Sequence, residues 1–260
     1  MKDNLVINRV LRSWMDDKKG NNLFFLHEVK DGKLEINGES VMLKNGEGKT
    51  IAELDRNQEV TFTCTSVLFD LNLFAAQTGA TKRALSSMDK AETPKIEVLE
   101  VKNHKVMLKE TPKAGAMMTV GVADNGGFVA TDAYLTKAAV AVEGKYAITG
   151  KEITVHTNIS DGSLLFVKYK YEADKGIEIT KNNDIKTIVG ESVTEVMLCD
   201  PCNLSEEFYG YLIMPNGKLE SKVTTTFDTE SGQEFSIKGM QDYCSLDKQT
   251  FRLVVVEKSK

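Results

Sequence analysis

Residues 33–50 read KLEINGESVMLKNGEGKT, in which an alternating segment runs into a turn rich in glycine. Polar and apolar side chains alternate over much of Lys33–Leu43, and this spacing is typical of a β-strand with two different faces. Asn45-Gly46 and Gly48 favour the positive φ angles of a tight reversal. The stretch therefore predicts a long β-hairpin with a polar tip.

The end of this stretch, Gly48-Lys49-Thr50, also matches the last three residues of a phosphate-binding loop. Such a loop needs a glycine five residues before the Gly-Lys pair, and a helix whose N-terminal amides face the phosphates. Leu43 occupies the glycine position, and IAELDRNQEVTFTC after the threonine has the pattern of a strand. We interpret the match as a hairpin tip and predict no nucleotide site.

Strand-like segments recur along the whole chain. They are rich in Val, Ile, Thr, Phe and Tyr and are separated by turn residues. Besides 33–43, they are 59–65, 95–101, 104–109, 116–123, 152–157, 164–173, 192–198, 209–214, 222–228, 234–240 and 250–257. The sequence therefore predicts a mainly β protein with antiparallel sheets.

One segment, TSVLFDLNLFAAQTGA (65–80), predicts an amphipathic helix instead. The apolar residues at helical spacing are Val67, Leu68, Leu71, Phe74 and Ala75. Thr65 or Ser66 is the expected N-cap, and Gly79 suits the C′ position. The polar stretch that follows, residues 81–94, predicts a linker that ends at Pro94.

The spacing of strands also predicts the domain organisation. Residues 95–180 contain at least six short strands with their own turns, enough to bury a small β core. The last 75 residues predict a meander of four or five strands, which includes a Pro-Asn-Gly turn at 215–217. We therefore predict a first domain split into 1–94 and 181–260, with an inserted β-sandwich-like module at 95–180.

Composition and charge exclude several functions. At 260 residues and 41% hydrophobic content, the chain has ample material for a folded core. The 33 basic and 38 acidic residues give a net charge of −5, and no block of one sign stands out. Binding to DNA phosphates needs a concentrated basic surface, so we do not expect it. We see neither a membrane span nor a secretory signal, and we expect a soluble protein in a reducing cytoplasm.

Four cysteines, Cys64, Cys199, Cys202 and Cys244, are too sparse for a disulfide scaffold. Cys199-Asp200-Pro201-Cys202 resembles the CxPC of thioredoxin-type oxidoreductases, in which a helix follows and activates the first thiol. The residues after Cys202 predict at most one helical turn, which is too little for that activation. A zinc site that adds Cys64 and Cys244 lacks a second close pair. We favour structural cysteines that are mostly buried, with zinc second and redox chemistry third.

The other reactive residue types form no catalytic pattern. His27, His104 and His156 each stand alone, and no G-x-S-x-G elbow occurs. Adjacent acids such as Asp16-Asp17 fall in polar turns, where solvated charges are expected rather than a glycosidase pair. We predict a non-enzymatic protein that acts through its surfaces, with no catalytic residue, metal or cofactor.

The order of these parts resembles the tail-tube (major tail) proteins of tailed bacteriophages. In residues 10–80, a long hairpin with a polar tip leads into a strand and then an amphipathic helix that ends near Gly79. In residues 195–245, a strand that ends in Cys-Asp-Pro-Cys precedes a meander that finishes in an aromatic-Cys pair. The resemblance implies an antiparallel tail-tube-like β-sandwich or barrel with a long hairpin, one helix and an inserted small β domain.

The resemblance also implies a function. Subunits of this family form homohexameric rings that stack into a hollow virion tail, assembled in the host cytoplasm, which guides DNA during ejection. The expected partners are other copies of the chain, tail proteins such as the tape measure and the terminator, and genomic DNA that passes without specific binding. Six copies at −5 carry about −30, which suits a channel wall that repels phosphate.

On this interpretation, the charged residues of the hairpin contact other subunits or face the lumen. The candidates are Glu39, Lys44, Glu47, Lys49, Glu53, Asp55, Arg56 and Glu59. The alternative function is a capsid decoration, baseplate or host-surface adhesion component in which the module at 95–180 is the active part. A dithiol oxidoreductase ranks last.

Overall fold

The structure is a computed structural model that describes residues 4–183, 188–223, 232–243 and 246–257, with the backbone alone at 55–57. It confirms the predicted fold class, mainly antiparallel β with one helix and a long hairpin. In chain order the elements are β1 (Val6–Asp17), β2 (Asn22–Leu26), β3 (Val29–Lys44), β4 (Thr50–Ser66), α1 (Leu71–Thr78), β5 (Thr81–Ala84), β6 (Ala91–Glu100), β7 (Lys105–Met107), β8 (Thr119–Ala123), β9 (Val129–Lys137), β10 (Lys145–Thr149), β11 (Glu152–Thr154), β12 (Leu164–Ala173), β13 (Ile177–Thr180), β14 (Val189–Asp200), β15 (Asn203–Leu219), β16 (Gln233–Gly239) and β17 (Arg252–Glu257).

The chain contacts divide the protein into two compact units. Unit 1 comprises Met1–Lys82 and Ile179–Lys260, and unit 2 comprises Arg83–Glu178. The chain enters unit 2 along β5 and leaves it along β13, and these two strands pair with each other. That one domain comprises residues 1–94 and 181–260, with an inserted module at 95–180, stays a prediction.

The described strands of unit 1 form one curved sheet. Its order is β2-β1-β14-β15-β16-β4-β3, and β17 pairs with the part of β15 that β16 leaves free. Strand β3, the last in this order, also contacts β1 near the other end, so the sheet nearly closes into a barrel. Gly32 lies at this approach, where an added Cβ would stand 2.7 Å from Cγ2 of Val10.

The core of unit 1 follows from the alternation of its strands, because every second side chain points inward. Phe62 and Cys64 of β4 meet Phe235 and Ile237 of β16, and Phe24 packs edge to face on Phe235 at 5.8 Å. The further buried residues of this core are Met15, Leu26, Val29, Val60, Leu73, Ala76, Leu212, Met214 and Leu219.

Helix α1 is shorter than predicted and begins later. The predicted N-cap at Thr65 or Ser66 is wrong, since both residues belong to β4. Asp70 caps the helix, and its carboxylate accepts a hydrogen bond from the Leu73 amide at 2.7 Å. The predicted end is confirmed, because Gly79 adopts the left-handed conformation with φ 64°.

Unit 2 has its own sheet and its own core. The sheet order is β6-β12-β8-β9-β10-β11-β7, and β9 and β10 run parallel while the other pairs are antiparallel. The buried residues of this core are Val101, Val106, Leu108, Val120, Tyr146, Ile153, Val155, Leu165, Val167 and Tyr169. Strand β12 has the predicted bounds, 164–173.

Two further local predictions, a linker and a turn, are wrong. The expected linker at 81–94 contains β5 and the start of β6. The expected Pro-Asn-Gly turn at 215–217 lies inside β15, opposite a register shift between Gly190 and Ser192. A bulge accommodates Pro215 because the ladder there does not need its missing amide hydrogen. Of the predicted strand at 222–228, residues 224–228 lie outside the described part of the chain.

Candidate subunit-contact site

The β3–β4 hairpin extends well beyond the sheet that holds its base. Strand β4 pairs with β16 only from Val60 to Ser66, and from Glu59 outward its described pairing is with β3 alone. We call residues 37–59 the hairpin arm. The arm has eight residues on β3 and ten on β4, so it reaches roughly 26 Å from its base along the shorter strand.

The tip of the arm is a tight turn closed by its own hydrogen bonds. The Asn45 amide donates to the Lys49 carbonyl at 2.9 Å, and the Asn45 side-chain oxygen accepts from the Lys49 amide at 2.8 Å. The predicted hairpin tip is confirmed, and strand β4 begins at Thr50 where a phosphate-binding loop needs a helix. Gly48 has a positive φ of 79° as expected. The positive φ expected at Asn45-Gly46 is wrong, since neither residue has one.

Apolar side chains are exposed on both faces of the arm. On one face the register pairs Val41 with Leu54 and Leu43 with Ala52. The other face carries Met42, which pairs with Glu53, and Ile51 stands at a register shift next to the tip. Met42 and Ile51 are 54% and 69% exposed, so the arm offers apolar surface that the described part of the chain leaves uncovered.

The predicted contact residues all lie in the arm. Their positions along it are Glu39, Lys44, Glu47, Lys49, Glu53, Asp55, Arg56 and Glu59. Glu47 and Lys49 meet at the tip, with 3.3 Å between Oε2 and Nζ. The side chains of Asp55 and Arg56 lie outside the described part, and their backbones pair with Ser40 and Glu39. That these residues contact another subunit or face a lumen stays a prediction.

The base of the arm carries a cluster of mixed charge. Lys238 of β16 forms ion pairs with Glu59 and with Glu220, the latter at 3.4 Å. The hydrogen bonds that Lys238 donates to Glu59 and then to Glu220 raise the pKa of Lys238. Beside this cluster lies a pocket of about 520 Å³, lined by Asn37, Gly38, Glu39, Gln58, Glu59, Lys218, Lys238, Gly239 and Met240.

A family model described as the YomU/Tube protein family matches residues 5–245. The chain belongs to this family. Because the family is of the phage tail-tube type, the resemblance inferred from the sequence is confirmed. The chain is thus a structural component of a phage tube. No curated protein matches the chain.

The match spans both units of this YomU/Tube protein, including the hairpin arm and the inserted residues 83–178. Within the described ranges, we find no helix with the length and apolar character needed to cross a membrane.

The cysteines of the YomU/Tube protein occupy different environments. Cys64 and Cys199 are buried on β4 and β14, whereas Cys202 is exposed in the turn before β15. The Cys202 amide donates to the Asp200 carboxylate at 2.8 Å, and a strand follows where a thioredoxin-type site has a helix. Burial raises the pKa of Cys64 to about 12, which keeps its thiol protonated. Cys244 lies outside the described residues.

Sequence reasoning missed the apolar residues of the arm as contact candidates. Met42, Leu43, Ile51 and Leu54 fit a strand pattern, and a strand pattern alone does not say whether a face is covered. The signal available was the unusual length of the hairpin, because the far end of a long two-stranded ribbon has no third strand beside it. Lys218 and Lys238 at the base were missed because they come from strands distant in sequence.

Proposed function

We propose that this YomU/Tube protein is the tail-tube subunit itself, of which six copies form a ring and stacked rings form a hollow tube that guides DNA during ejection. The observation that carries the proposal is the hairpin arm. It is a two-stranded ribbon with uncovered apolar residues on both faces.

Such an arm needs a partner for two physical reasons. An isolated two-stranded hairpin is at best marginally stable in water, and an exposed apolar strand at a sheet edge invites pairing with another chain. The apolar pairs Val41–Leu54 and Leu43–Ala52 form one continuous strip along one face. A neighbouring copy that covers this strip removes it from water and orders the ribbon.

The charges of the arm suggest which surface of the neighbour it meets. The tip carries Lys44, Glu47 and Lys49, and the pocket at the base carries Glu39, Glu59, Lys218 and Lys238. Both surfaces hold charges of each sign, so the tip of one copy and the base of the next can form complementary pairs. Tip against base is a heterologous contact, which generates a closed ring or an open stack according to the rotation between copies.

The net charge fits passage of DNA without binding. At −5 per subunit, a wall built from this chain has no excess of cations to form counterion-releasing contacts with phosphate. On this proposal the tape measure, the terminator and the genomic DNA are successive neighbours of the tube.

The test is electron microscopy and light scattering of the purified protein. We expect rings, tubes or hexamers from the wild type, and loss of assembly in Val41→Ser/Leu54→Ser, which disrupts the apolar strip. The matched control is Ile96→Ser/Val98→Ser, since these residues are exposed on a strand of unit 2. Circular dichroism checks that each variant is folded. A wild type that stays monomeric at high concentration, or a strip variant that assembles normally, contradicts the proposal.

A further inference from the structure

Unit 2 contains a pocket of about 580 Å³ that the tube function does not use. This volume lies in the range of small-molecule sites. Its lining consists of Thr111, Pro112, Lys113, Ala114, Gly115, Ala116, Met117, Met118, Lys137, Tyr146, Ile148, Gly150, Tyr169 and Lys170. The lining thus combines apolar side chains with three lysines and contains no carboxylate.

Two buried tyrosines line this pocket, and their hydroxyl groups differ. Tyr169 donates to the carboxylate of Glu97 and accepts from the Glu110 amide at 3.2 Å. Tyr146 is only 2% exposed, and its hydroxyl has no hydrogen-bond partner anywhere in the described chain. Burial alone raises the pKa of Tyr146. Because buried hydroxyls are almost always hydrogen-bonded, the Tyr146 hydroxyl marks a position where a ligand atom fits.

Lys137 supplies a cation in the same pocket lining. Strands β9 and β10 run parallel here, and Lys137 and Tyr146 are direct register partners. Of the three lysines in the lining, Lys113 and Lys170 both bind Glu92, whereas Lys137 forms no ion pair with any described residue. An anion is therefore the group that pairs with Lys137 and accepts a hydrogen bond from Tyr146.

The apolar residues of the pocket lining indicate the chemistry of the part of the ligand that carries no charge. Met117, Met118 and Ile148 present apolar surface, and methionine adapts its shape to varied ligands. We propose that this pocket binds a small carboxylic acid, whose carboxylate lies between Lys137 and Tyr146 and whose apolar part lies against the two methionines and Ile148.

Methyl NMR of the full-length protein with ¹³C-labelled methionine tests this proposal. Met117→Leu and Met118→Leu assign the two signals. Hexanoate is the probe, and we expect saturable shifts of these two signals. Hexan-1-ol has the same chain without charge, and inorganic phosphate has charge without the chain. We expect each of them to bind at least tenfold more weakly than hexanoate.

Variants of the two polar residues locate the carboxylate. We expect Tyr146→Phe and Lys137→Ala each to weaken hexanoate binding by about tenfold, the size of one hydrogen bond to a charged group. The matched controls are Tyr134→Phe and Lys145→Ala, which lie on the same two strands outside the pocket lining. Absence of methionine shifts, equal binding of the alcohol or of phosphate, or full affinity in Tyr146→Phe overturns the proposal.

A thermal melt separates ligand binding from a structural role of the hydroxyl. Without hexanoate, we expect Tyr146→Phe to melt at or above the wild-type temperature, because the removed hydroxyl has no protein partner to lose. With saturating hexanoate, we expect a larger rise in melting temperature for the wild type than for the variant. If Tyr146→Phe without hexanoate melts at a lower temperature than the wild type, the Tyr146 hydroxyl has a hydrogen-bond partner within the fold. That result contradicts its role as a ligand-binding group.

Discussion

Gly32 controls how closely the two ends of the unit 1 sheet approach. A Cβ at this position meets Val10 at 2.7 Å and Phe62 at 3.5 Å, distances that force at least the valine to move. We expect Gly32→Ala to lower the free energy of unfolding by about 1–3 kcal/mol through overpacking. Urea denaturation measures this change.

The control for this substitution is Gly38→Ala, because its added Cβ has Gln58 Cγ at 3.9 Å as its nearest neighbour. We expect that change to stay within about 0.5 kcal/mol. Adding Val10→Ala to Gly32→Ala relieves the clash, so the double variant should lose less stability than the two single variants together. If the two changes in the free energy of unfolding simply add, the result contradicts a close contact between residue 32 and Val10.

Cys64 and Cys202 provide a second test at the scale of single residues. In a Cys244→Ser background at pH 8, we expect a thiol reagent to label Cys202 in the native protein, and Cys64 and Cys199 only after unfolding. Absorbance of the released thiol-reagent anion counts the labelled groups. Rapid native labelling of Cys64 contradicts its burial.

The raised pKa of Cys64 also predicts a dependence on pH. Burial raises the pKa from 9.0 to about 12, so the unfolded chain loses this proton before the folded chain does. The stability due to the buried thiol is complete below pH 9 and is lost as the pH rises from 9 towards 12. We expect a Cys64→Ala variant to lack this part of the pH profile in urea titrations.

At the scale of elements, Asp70 shows how a helix start depends on one side chain. Its carboxylate satisfies the Leu73 amide, and we expect Asp70→Ala to cost about 1 kcal/mol of stability. Asp70→Asn keeps an acceptor at the same place and should stay within about 0.5 kcal/mol of the wild type. Urea denaturation distinguishes them, and equal losses in both variants show that charge rather than capping matters.

The elements differ in how far the sequence could predict them. The sequence LLFVKYKYEA predicted the bounds of β12 correctly. Apolar and polar residues alternate in it, as they do in an antiparallel strand with one buried face. The start of α1 was wrong because Val67 and Leu68 fit helical spacing but lie before the cap, where both are exposed. Strand β15 continues through Pro215 because of a bulge that pairing with β14 creates, and the sequence of one strand does not contain that information.

The candidate site was predicted in part for the same reason. The length of the hairpin and the polarity of its tip are local, so both followed from KNGEGKT and the strands beside it. The exposure of Met42 and Ile51 arises because no described strand besides β3 and β4 lies along the arm, and the pocket at its base brings together strands far apart in sequence. Both depend on tertiary structure.

At the scale of the whole molecule, two deletions separate the roles of unit 2 and the arm. Strands β5 and β13 pair where the chain enters and leaves unit 2, and the Leu85 amide donates to the Gly176 carbonyl at 2.9 Å. Replacing residues 85–176 by Asn-Gly therefore joins neighbouring ends. We expect this variant to fold and to assemble in electron micrographs.

The matching deletion replaces residues 40–55 by Asn-Gly, which joins β3 and β4 at the register pair Glu39 and Arg56. We expect it to keep the circular dichroism of a folded β protein and to lose assembly. Tubes formed by the arm-deletion variant, or loss of tubes in the unit 2 deletion variant, contradict the expectation that assembly needs the arm and not unit 2.

Among the described strands, the hairpin arm pairs only with itself beyond Glu59, and this has a kinetic consequence for the proposed polymerisation. On the proposed assembly, a free subunit gains little from ordering its arm, while a subunit that arrives at an existing rim gains a surface on which the arm can dock. Starting a new rim is then slower than extending an old one. Growth should show a lag that preformed seeds abolish, and cells should hold soluble subunits until a tail initiator is present.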